Sequence, residues 1–240
     1  MLRMIGHQHF YKDIQIVWGN RDCNLESIQQ NFSELQLIKC KQTHSNLIHE
    51  WRSGINLQGV EGDALLTRES NAALCISTAD CMPVMIYHEA SSWIAGVHAG
   101  WKGVENRIIP MTLERLFAAT GSKSDYHVWI GPHIQATSFE VGADVGQKIL
   151  STLRSEDSKS LCRVESVPPE TSKNFPIEAA GPEKWNLDLA QVAKFQIEEA
   201  GFSLNHFWVS NEDTKTCDRY HSHRRDAAQS GRQLSFIFRR

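Results

Sequence analysis

Two histidines and one cysteine are of the types that hold a metal ion or carry out nucleophilic chemistry. His44, Cys81 and His98 lie far apart in the sequence, so no local spacing signature marks them. Two nitrogen ligands and one sulfur ligand, with a fourth position left to water, form the donor set of a catalytic zinc site. The same residues also fit a Cys81 nucleophile with His98 as its base. A buried thiol and two hydrogen-bonded imidazoles are a third interpretation, and the residues alone leave all three open.

Asp63 stands in a Gly-Asp-Ala turn just ahead of an apolar run. An aspartate in a turn commonly bonds its own backbone, which is the ordinary interpretation. The functional alternative is a carboxylate that orients a metal-binding histidine, or a general base.

Several residues could bind an anion such as phosphate. Gly100 and Gly103 flank Trp101 and Lys102 at the start of a predicted helix, where backbone N–H groups and the lysine charge favour an anion. Arg225, with Arg224, stands beside Asp226, either as a surface ion pair or as a forked clamp on phosphate or carboxylate. Arg21 has the same two interpretations.

The elements that must position these residues are short apolar strands. The runs 72–77, 84–87 and 93–97 have strand length and are partly β-branched, and polar residues follow where they end. Another short strand, 37–40, leads into His44. We therefore expect the reactive side chains at strand ends, where a scaffold commonly presents its chemistry.

The rest of the chain alternates helical and strand patterns, which predicts an α+β fold, a single mixed α/β domain over residues 1–240. The clearest helix is 104–119, with a kink or late start at Pro110 and an end at Gly121. Asn24 is the expected cap of a helix over 24–35. Further helices are predicted at 144–153 and 187–200, strands at 9–17, 127–130, 206–209 and 234–238, and a long loop at 155–182.

Composition is that of an ordinary soluble protein, with 41% hydrophobic and 22% charged residues. The net charge of −3 gives no support for nucleic-acid or membrane binding. No apolar run approaches the roughly 20 residues that cross a bilayer, and the N-terminus lacks a signal-peptide pattern. We therefore expect a cytoplasmic protein whose six cysteines are free thiols.

Taken together and in order, these motifs resemble the bacterial laccase-domain family, once described as multicopper polyphenol oxidases and now as purine nucleoside phosphorylases. The order of the motifs is more specific than any one of them. The matching segments are 42–44 (QTH), 62–65 (GDAL), 78–83 (TADCMP), 98–103 (HAGWKG), 130–134 (IGPHI), 139–142 (FEVG), 187–189 (LDL), 222–226 (SHRRD) and 231–232 (GR).

The resemblance implies a layered α/β sandwich similar to the cysteine-hydrolase group, with zinc held by His44, Cys81 and His98. It also implies phosphorolysis of adenosine, inosine and methylthioadenosine, with adenosine deamination as a side activity. The expected partners are therefore a small purine nucleoside and phosphate. Some members are described as peptidoglycan editing factors.

The chain departs from the family pattern at two places. The glycine loop that usually accompanies the family arginine is missing around Arg21, which leaves part of the substrate pocket unmatched. Asp213 stands where the family commonly has cysteine, and His221 where it commonly has an aromatic residue.

Copper oxidation is disfavoured as the activity. A multicopper oxidase needs about ten histidines in paired clusters around several copper ions. The chain has eleven histidines but only two HxH pairs, at 7–9 and 221–223. The H-x-E and P-C-x-x-C signature of nucleobase deaminases is absent too. The remaining alternatives are a metal-free Cys81/His98 amidase-like hydrolase acting on cell-wall precursors, and a nucleoside-binding protein without catalysis.

Overall fold

The computed structural model describes residues 5–156, 159, 162–164 and 184–240. Most of the predicted loop 155–182 lies outside the described residues. The strands are β1 (Gly6–Tyr11), β2 (Ile14–Gly19), β3 (Gln36–Ile38), β4 (Ile48–Glu50), β5 (Ala64–Thr67), β6 (Ala72–Thr78), β7 (Met82–His88), β8 (Trp93–Ala99), β9 (Tyr126–Ile130), β10 (Glu140–Gly142), β11 (Arg163–Val164), β12 (Lys184–Leu187), β13 (Leu204–Val209) and β14 (Gln233–Arg239). The helices are α1 (Leu25–Asn31), α2 (Trp101–Glu105), α3 (Ile108–Thr120), α4 (Ala143–Leu150), α5 (Leu189–Glu199) and α6 (His223–Asp226).

Two large mixed sheets form the centre of the fold. One has the strand order β1-β2-β14-β6-β3, and the other has the order β13-β9-β7-β8-β5-β4. A small third sheet, β10-β12-β11, lies outside them. The mixed α/β expectation is therefore confirmed at the level of the sheets.

The sheets pack face to face, and helices cover their outer faces. Met85 and Tyr87 of β7 point into a core that the two large sheets share, whereas Val84 and Ile86 point into the core beneath α2 to α5. This alternation is the period-2 pattern of a strand that is buried on both faces. On the outer face of the other sheet, Ile28 of α1 packs in a third cluster. The result is a four-layer arrangement with a helix layer on each side.

Local signals explain several boundaries. Asn24 caps α1 with its side chain, which accepts a hydrogen bond from the Ser27 amide at 2.9 Å, as the sequence predicts. Gly121 ends α3 in a left-handed conformation, φ +70°, which is also predicted. Asp188 caps α5, so this helix begins at Leu189 rather than at residue 187.

Two sequence-based predictions were wrong. The single strand over 9–17 is a hairpin, because Lys12 adopts a left-handed conformation (φ +47°) and turns β1 back onto β2. The helix over 104–119 is broken into α2 and α3 at Arg107, which has φ +58°. Pro110 lies in the first turn of α3, where a proline is tolerated. Of the kink and the late start that Pro110 predicts, the structure shows the late start, since α3 begins at Ile108.

All six cysteines are free thiols, as expected. Among the described residues, no helix combines the length and hydropathy that crossing a bilayer requires.

Candidate metal centre and its cavity

Strand register brings Asp63, Cys81 and His98 together. In the antiparallel pair β7–β8, His98 lies opposite Pro83, so Cys81 just before β7 comes close to the end of β8. In the pair β5–β8, Val97 lies opposite Ala64, and the His98 amide donates to the Asp63 carbonyl at 2.7 Å. Residues far apart in sequence thus meet where three neighbouring strands of the six-stranded sheet end.

His44 reaches the same place on the loop between β3 and β4. Its backbone is left-handed, with φ +59°, a conformation that costs free energy in a non-glycine residue. The buried Asp63 carboxylate holds this loop. It accepts hydrogen bonds from the amides of Thr43 (3.2 Å), His44 (3.1 Å) and Ser45 (2.7 Å), and from the Ser45 hydroxyl (2.6 Å).

Asp63 also orients the second histidine. His98 Nδ1 lies 2.7 Å from Asp63 Oδ1, which places the proton on Nδ1 and leaves Nε2 as the atom that can bind a metal. One carboxylate therefore positions both histidines.

The three candidate ligands converge with mixed nitrogen and sulfur donors. Their ligand atoms all lie within 4.8 Å of one another, and Cys81 Sγ is 3.8 Å from His44 Nε2. A tetrahedral zinc with bonds of about 2.0–2.3 Å places neighbouring ligand atoms about 3.3–3.8 Å apart. A small inward movement of the side chains would therefore suffice, and the donor set fits zinc. Among the described residues, this is the group of at least three His, Cys, Asp or Glu side chains whose ligand atoms lie close enough to hold one metal ion.

The protonation states of Asp63, Cys81 and His98 depend on one another. Burial opposes the charged forms of all three, but the hydrogen bonds between them outweigh it. Hydrogen bonds from His98 and Ser45 hold the pKa of Asp63 below its usual range. The His44 and His98 rings lower the pKa of Cys81 to about 6, and Asp63 together with Cys81 raises the pKa of His98 to about 9. A thiolate is therefore present at neutral pH, which suits a metal ligand and a nucleophile equally.

Gly100 makes room for the cluster. A Cβ atom at this position would lie 2.8 Å from Cys81 Sγ, closer than real contacts allow, and would crowd His44 Cδ2 at 3.0 Å. The residue has an ordinary extended backbone, so the need for glycine comes from this close approach.

Asp80 links the cluster to the C-terminal part of the chain. Its carboxylate accepts from the Thr214 hydroxyl at 2.6 Å and from the Arg224 amide at 2.6 Å, and its carbonyl accepts from the Ile134 amide. Its own backbone is left-handed, φ +82°. Because Asp80 directly precedes Cys81, the His44–Cys81–His98 cluster and α6 are held beside each other.

The cluster opens into a cavity of about 790 Å³. Ile134, Phe139 and Leu189 give it apolar walls, and Trp101 lies beside the metal cluster. The cationic lining is formed by Lys39, Lys41, Lys102, Arg224 and Arg232. The size and lining suit a small molecule with an aromatic and an anionic part.

The structure places the predicted anion-binding residues in two groups. Gly100 and Lys102 line the cavity, whereas Arg21, Gly103 and Arg225 do not. All five N–H donors of Arg225 are engaged by Asp226 and by the carbonyls of Thr214, Lys215 and Tyr220. Arg21 Nε donates to the Tyr220 carbonyl at 3.0 Å. Both arginines therefore shape the loop before α6.

Sequence reasoning missed Arg232, Lys39, Lys41 and Asp80 as cavity residues. Lys41 directly precedes the segment 42–44, Lys39 lies two residues before Lys41, and Arg232 belongs to the segment 231–232, so the neighbouring motifs were the available signal. Arg224 faces the cavity, and its guanidinium carbon lies 5.6 Å from the Phe139 ring centre. No local sequence pattern distinguishes it from Arg225, which does not face the cavity.

The sequence matches one protein family over nearly all its length. The family model described as multi-copper polyphenol oxidoreductase laccase matches residues 8–240. A purine nucleoside phosphorylase of Clostridium acetobutylicum is 29% identical over 222 residues, 90% of this chain and 83% of that protein. A purine nucleoside phosphorylase of Bacteroides thetaiotaomicron is 34% identical over 182 residues, 75% of this chain. The matched segment spans 61% of the Bacteroides relative.

Solved structures share the fold. YlmD from Geobacillus stearothermophilus superimposes with a TM-score of 0.72 at 27% identity, covering 89% of this chain and 79% of that one. The hypothetical protein YfiH from Bacillus licheniformis gives a TM-score of 0.74 at 24% identity, covering 90% and 80%. The mixed α/β layers are thus common to this chain and these proteins.

Proposed function

The chain belongs to the family described as multi-copper polyphenol oxidoreductase laccase, and we propose that it is a zinc-dependent purine nucleoside phosphorylase. The proposed substrates are adenosine, inosine and methylthioadenosine, with adenosine deamination as a side activity. The observation that carries the proposal is the His44–Cys81–His98 cluster at the wall of a cationic cavity. We also propose that residues 1–240 act as one domain, since the cavity draws its lining from Lys39 to Arg232.

The zinc would be held by His44 Nε2, Cys81 Sγ and His98 Nε2. When bound, it would supply Lewis-acid polarisation and a water of lowered pKa. Asp63 keeps the His98 proton on Nδ1 and holds the His44 loop. The residues that we place on inorganic phosphate are Lys102 and Arg224, whose charges face the cavity, while Trp101 and Phe139 give the purine apolar surfaces.

The proposed reaction exchanges one bond for another at the sugar. The C1′–N9 bond breaks, a phosphate oxygen bonds to C1′, and the base leaves with the electron pair and takes a proton. The cations of the cavity lower the cost of bringing a phosphate dianion to the sugar, and a water-poor cavity strengthens that attraction.

The first test measures metal content and turnover on one preparation. We expect close to one zinc per chain, and release of adenine from adenosine only when phosphate is present. Inosine in the product would reveal the deaminase activity. The variant Cys81→Ala should lose both zinc and turnover, whereas Cys217→Ala, which changes a thiol outside the cluster, should keep both. Stoichiometric zinc and full turnover in Cys81→Ala would refute the proposal.

A second candidate is a Cys81 hydrolase. His44 and His98 lower the pKa of Cys81 to about 6, and the His98 ring is in turn held by Asp63 at 2.7 Å, as in a nucleophile, base and orienting carboxylate. Alkylation by iodoacetamide separates the two candidates. A zinc-bound thiolate reacts slowly until a chelator removes the metal, whereas a free nucleophile reacts fast from the start. Fast reaction before chelation, with no purine product, would favour the hydrolase.

A further inference from the structure

Lys39 is a half-buried cation for which the described residues supply no counter-charge. It lies just after β3, and no hydrogen-bond or ion-pair partner is found for it among the described residues. Removing an ammonium group from water costs free energy unless a partner offsets the loss. Because Lys39 lines a cavity and is only half-buried, its ammonium group is available to an anionic ligand.

Lys39 lies where two cavities meet. The first cavity lies beside the His44–Cys81–His98 cluster, and a second cavity has a volume of about 870 Å³. Both are lined by Lys39, Cys40 and Lys41. The neighbouring Lys41 pairs with Glu61 at 2.9 Å, but both side chains are more than half exposed. Such a pair contributes little and can be exchanged for a ligand.

The charge of the first cavity exceeds what one phosphate needs. Of the described residues, five cationic side chains line it, against a single carboxylate, that of Asp80. The Asp80 oxygens already accept hydrogen bonds from Thr214 and from the Arg224 amide. A phosphate monoester carries about −1.5 to −2 at neutral pH, so the inorganic phosphate of the proposed reaction leaves room for a second anionic group.

Strand order separates two of the lysines from one of the arginines. Lys39 and Lys41 follow β3, whereas Arg232 precedes β14, and β6 lies between these two strands. Ile38 pairs with Leu74 of β6 and Gln233 pairs with Thr78, so the two groups are two strands and four residues apart, roughly 15 Å between backbones. Side chains that start this far apart reach one phosphate only when both are fully extended, which favours two anion subsites.

We propose that Lys39 and Lys41 form a subsite for the phosphate of a nucleoside monophosphate, so that the cavity prefers nucleotides to nucleosides. This inference rests on the proposed phosphorylase function. Lys102 and Arg224 keep inorganic phosphate on the other side of the sugar. The bond exchange is unchanged: C1′–N9 breaks, C1′–O forms, and the base takes the proton.

The test compares the affinities of adenosine 5′-monophosphate and adenosine by calorimetry, on the purified protein in phosphate-free buffer. We expect the monophosphate to bind at least about tenfold tighter, with a stronger dependence on salt concentration. Lys39→Gln should bring the ratio of the two affinities close to one. The matched control, Lys194→Gln on the exposed face of α5, should leave the ratio as in the parent protein. Equal affinities in the parent, or an equal loss for both ligands in Lys39→Gln, would overturn the subsite.

Turnover measured on the same preparations keeps the two proposals apart. A Lys39-dependent preference for the monophosphate without any phosphorolysis supports the subsite and refutes only the reaction. Phosphorolysis of adenosine without that preference refutes the subsite and leaves the reaction in place.

Discussion

At the scale of single residues, Asp63 determines the geometry of the candidate metal centre. Its carboxylate holds the His98 ring through Nδ1 and the His44 loop through three amides. These hydrogen bonds keep the pKa of Asp63 low, so it is ionised throughout the neutral range. A charged acceptor of this kind compensates for the left-handed backbone of His44, which would otherwise favour another conformation.

Gly100 provides the first prediction at this scale. Gly100→Ala should lower the zinc affinity by about 10- to 100-fold, because the new methyl group overlaps Cys81 Sγ and displaces a ligand. The measurement is zinc retention during titration with a competing chelator. Gly103→Ala is the matched control, because its Cβ would meet Ile108 at 3.2 Å rather than the cluster. Equal zinc affinities in the two variants would contradict the steric argument.

At the scale of elements, the turn between β6 and β7 connects two parts of the site. Asp80 bonds to Thr214 and to the amide of Arg224 in α6, while Cys81 beside it contributes to the metal cluster. Arg224, which lines the cavity, is thereby held by a turn in a distant part of the sequence. A substitution on the Thr214 and Arg224 side of Asp80 should therefore weaken phosphate binding and leave metal binding unchanged. A substitution at Cys81 should abolish metal binding.

Thr214→Val tests this connection. The buried hydroxyl is lost, so the free energy of unfolding should fall by about 1–3 kcal/mol and the KM for phosphate should rise roughly tenfold. Zinc content should stay at the parent value. Thr112→Val in α3, also fully buried, removes a hydroxyl that bonds only the Ile108 carbonyl. This control should leave the phosphate KM unchanged, and a parallel rise in both variants would count against the role of Asp80.

At the scale of the whole molecule, polar contacts at the ends of strands join the two large sheets. Asp13, in the turn between β1 and β2, accepts from the Tyr87 hydroxyl of β7 at 2.7 Å and from Arg239 of β14 at 2.9 Å. Burial opposes the ionised form, but these hydrogen bonds outweigh it and lower the pKa of Asp13. The turn is thus tied to both sheets.

This contact predicts a pH-dependent stability. Because the folded pKa of Asp13 is depressed, its stabilisation is present above the unfolded pKa of about 3.9 and is lost as pH falls through the lower folded value. Asp13→Asn should therefore be less stable at pH 7, by about 1 kcal/mol given its partial exposure, and the difference should shrink at pH 3. Urea unfolding with chelator present measures it without interference from metal loss. Asp218→Asn, at an exposed carboxylate, is the control, and a difference for Asp13→Asn that is constant with pH would contradict the assignment.

The sequence by itself determined the local features of this protein. The strand-length runs around Cys81 and His98, the Asn24 cap and the Gly121 stop all depend on a few neighbouring residues, so periodicity and capping predict them. The reactive residue types at strand ends, and the mixed α/β class, follow from the same patterns.

Only the tertiary structure decided which of these residues meet. The turn at Lys12 and the helix break at Arg107 are left-handed conformations of non-glycine residues, which no composition signal marks. Arg224 and Arg225 are neighbours in sequence, yet one faces the cavity and the other bonds its own loop. The contact of Asp63 with His44 and His98 depends on strand register and on the path of a loop. Those are properties of the packed chain, because contacts between residues distant in sequence are set by the way the sheets and loops assemble.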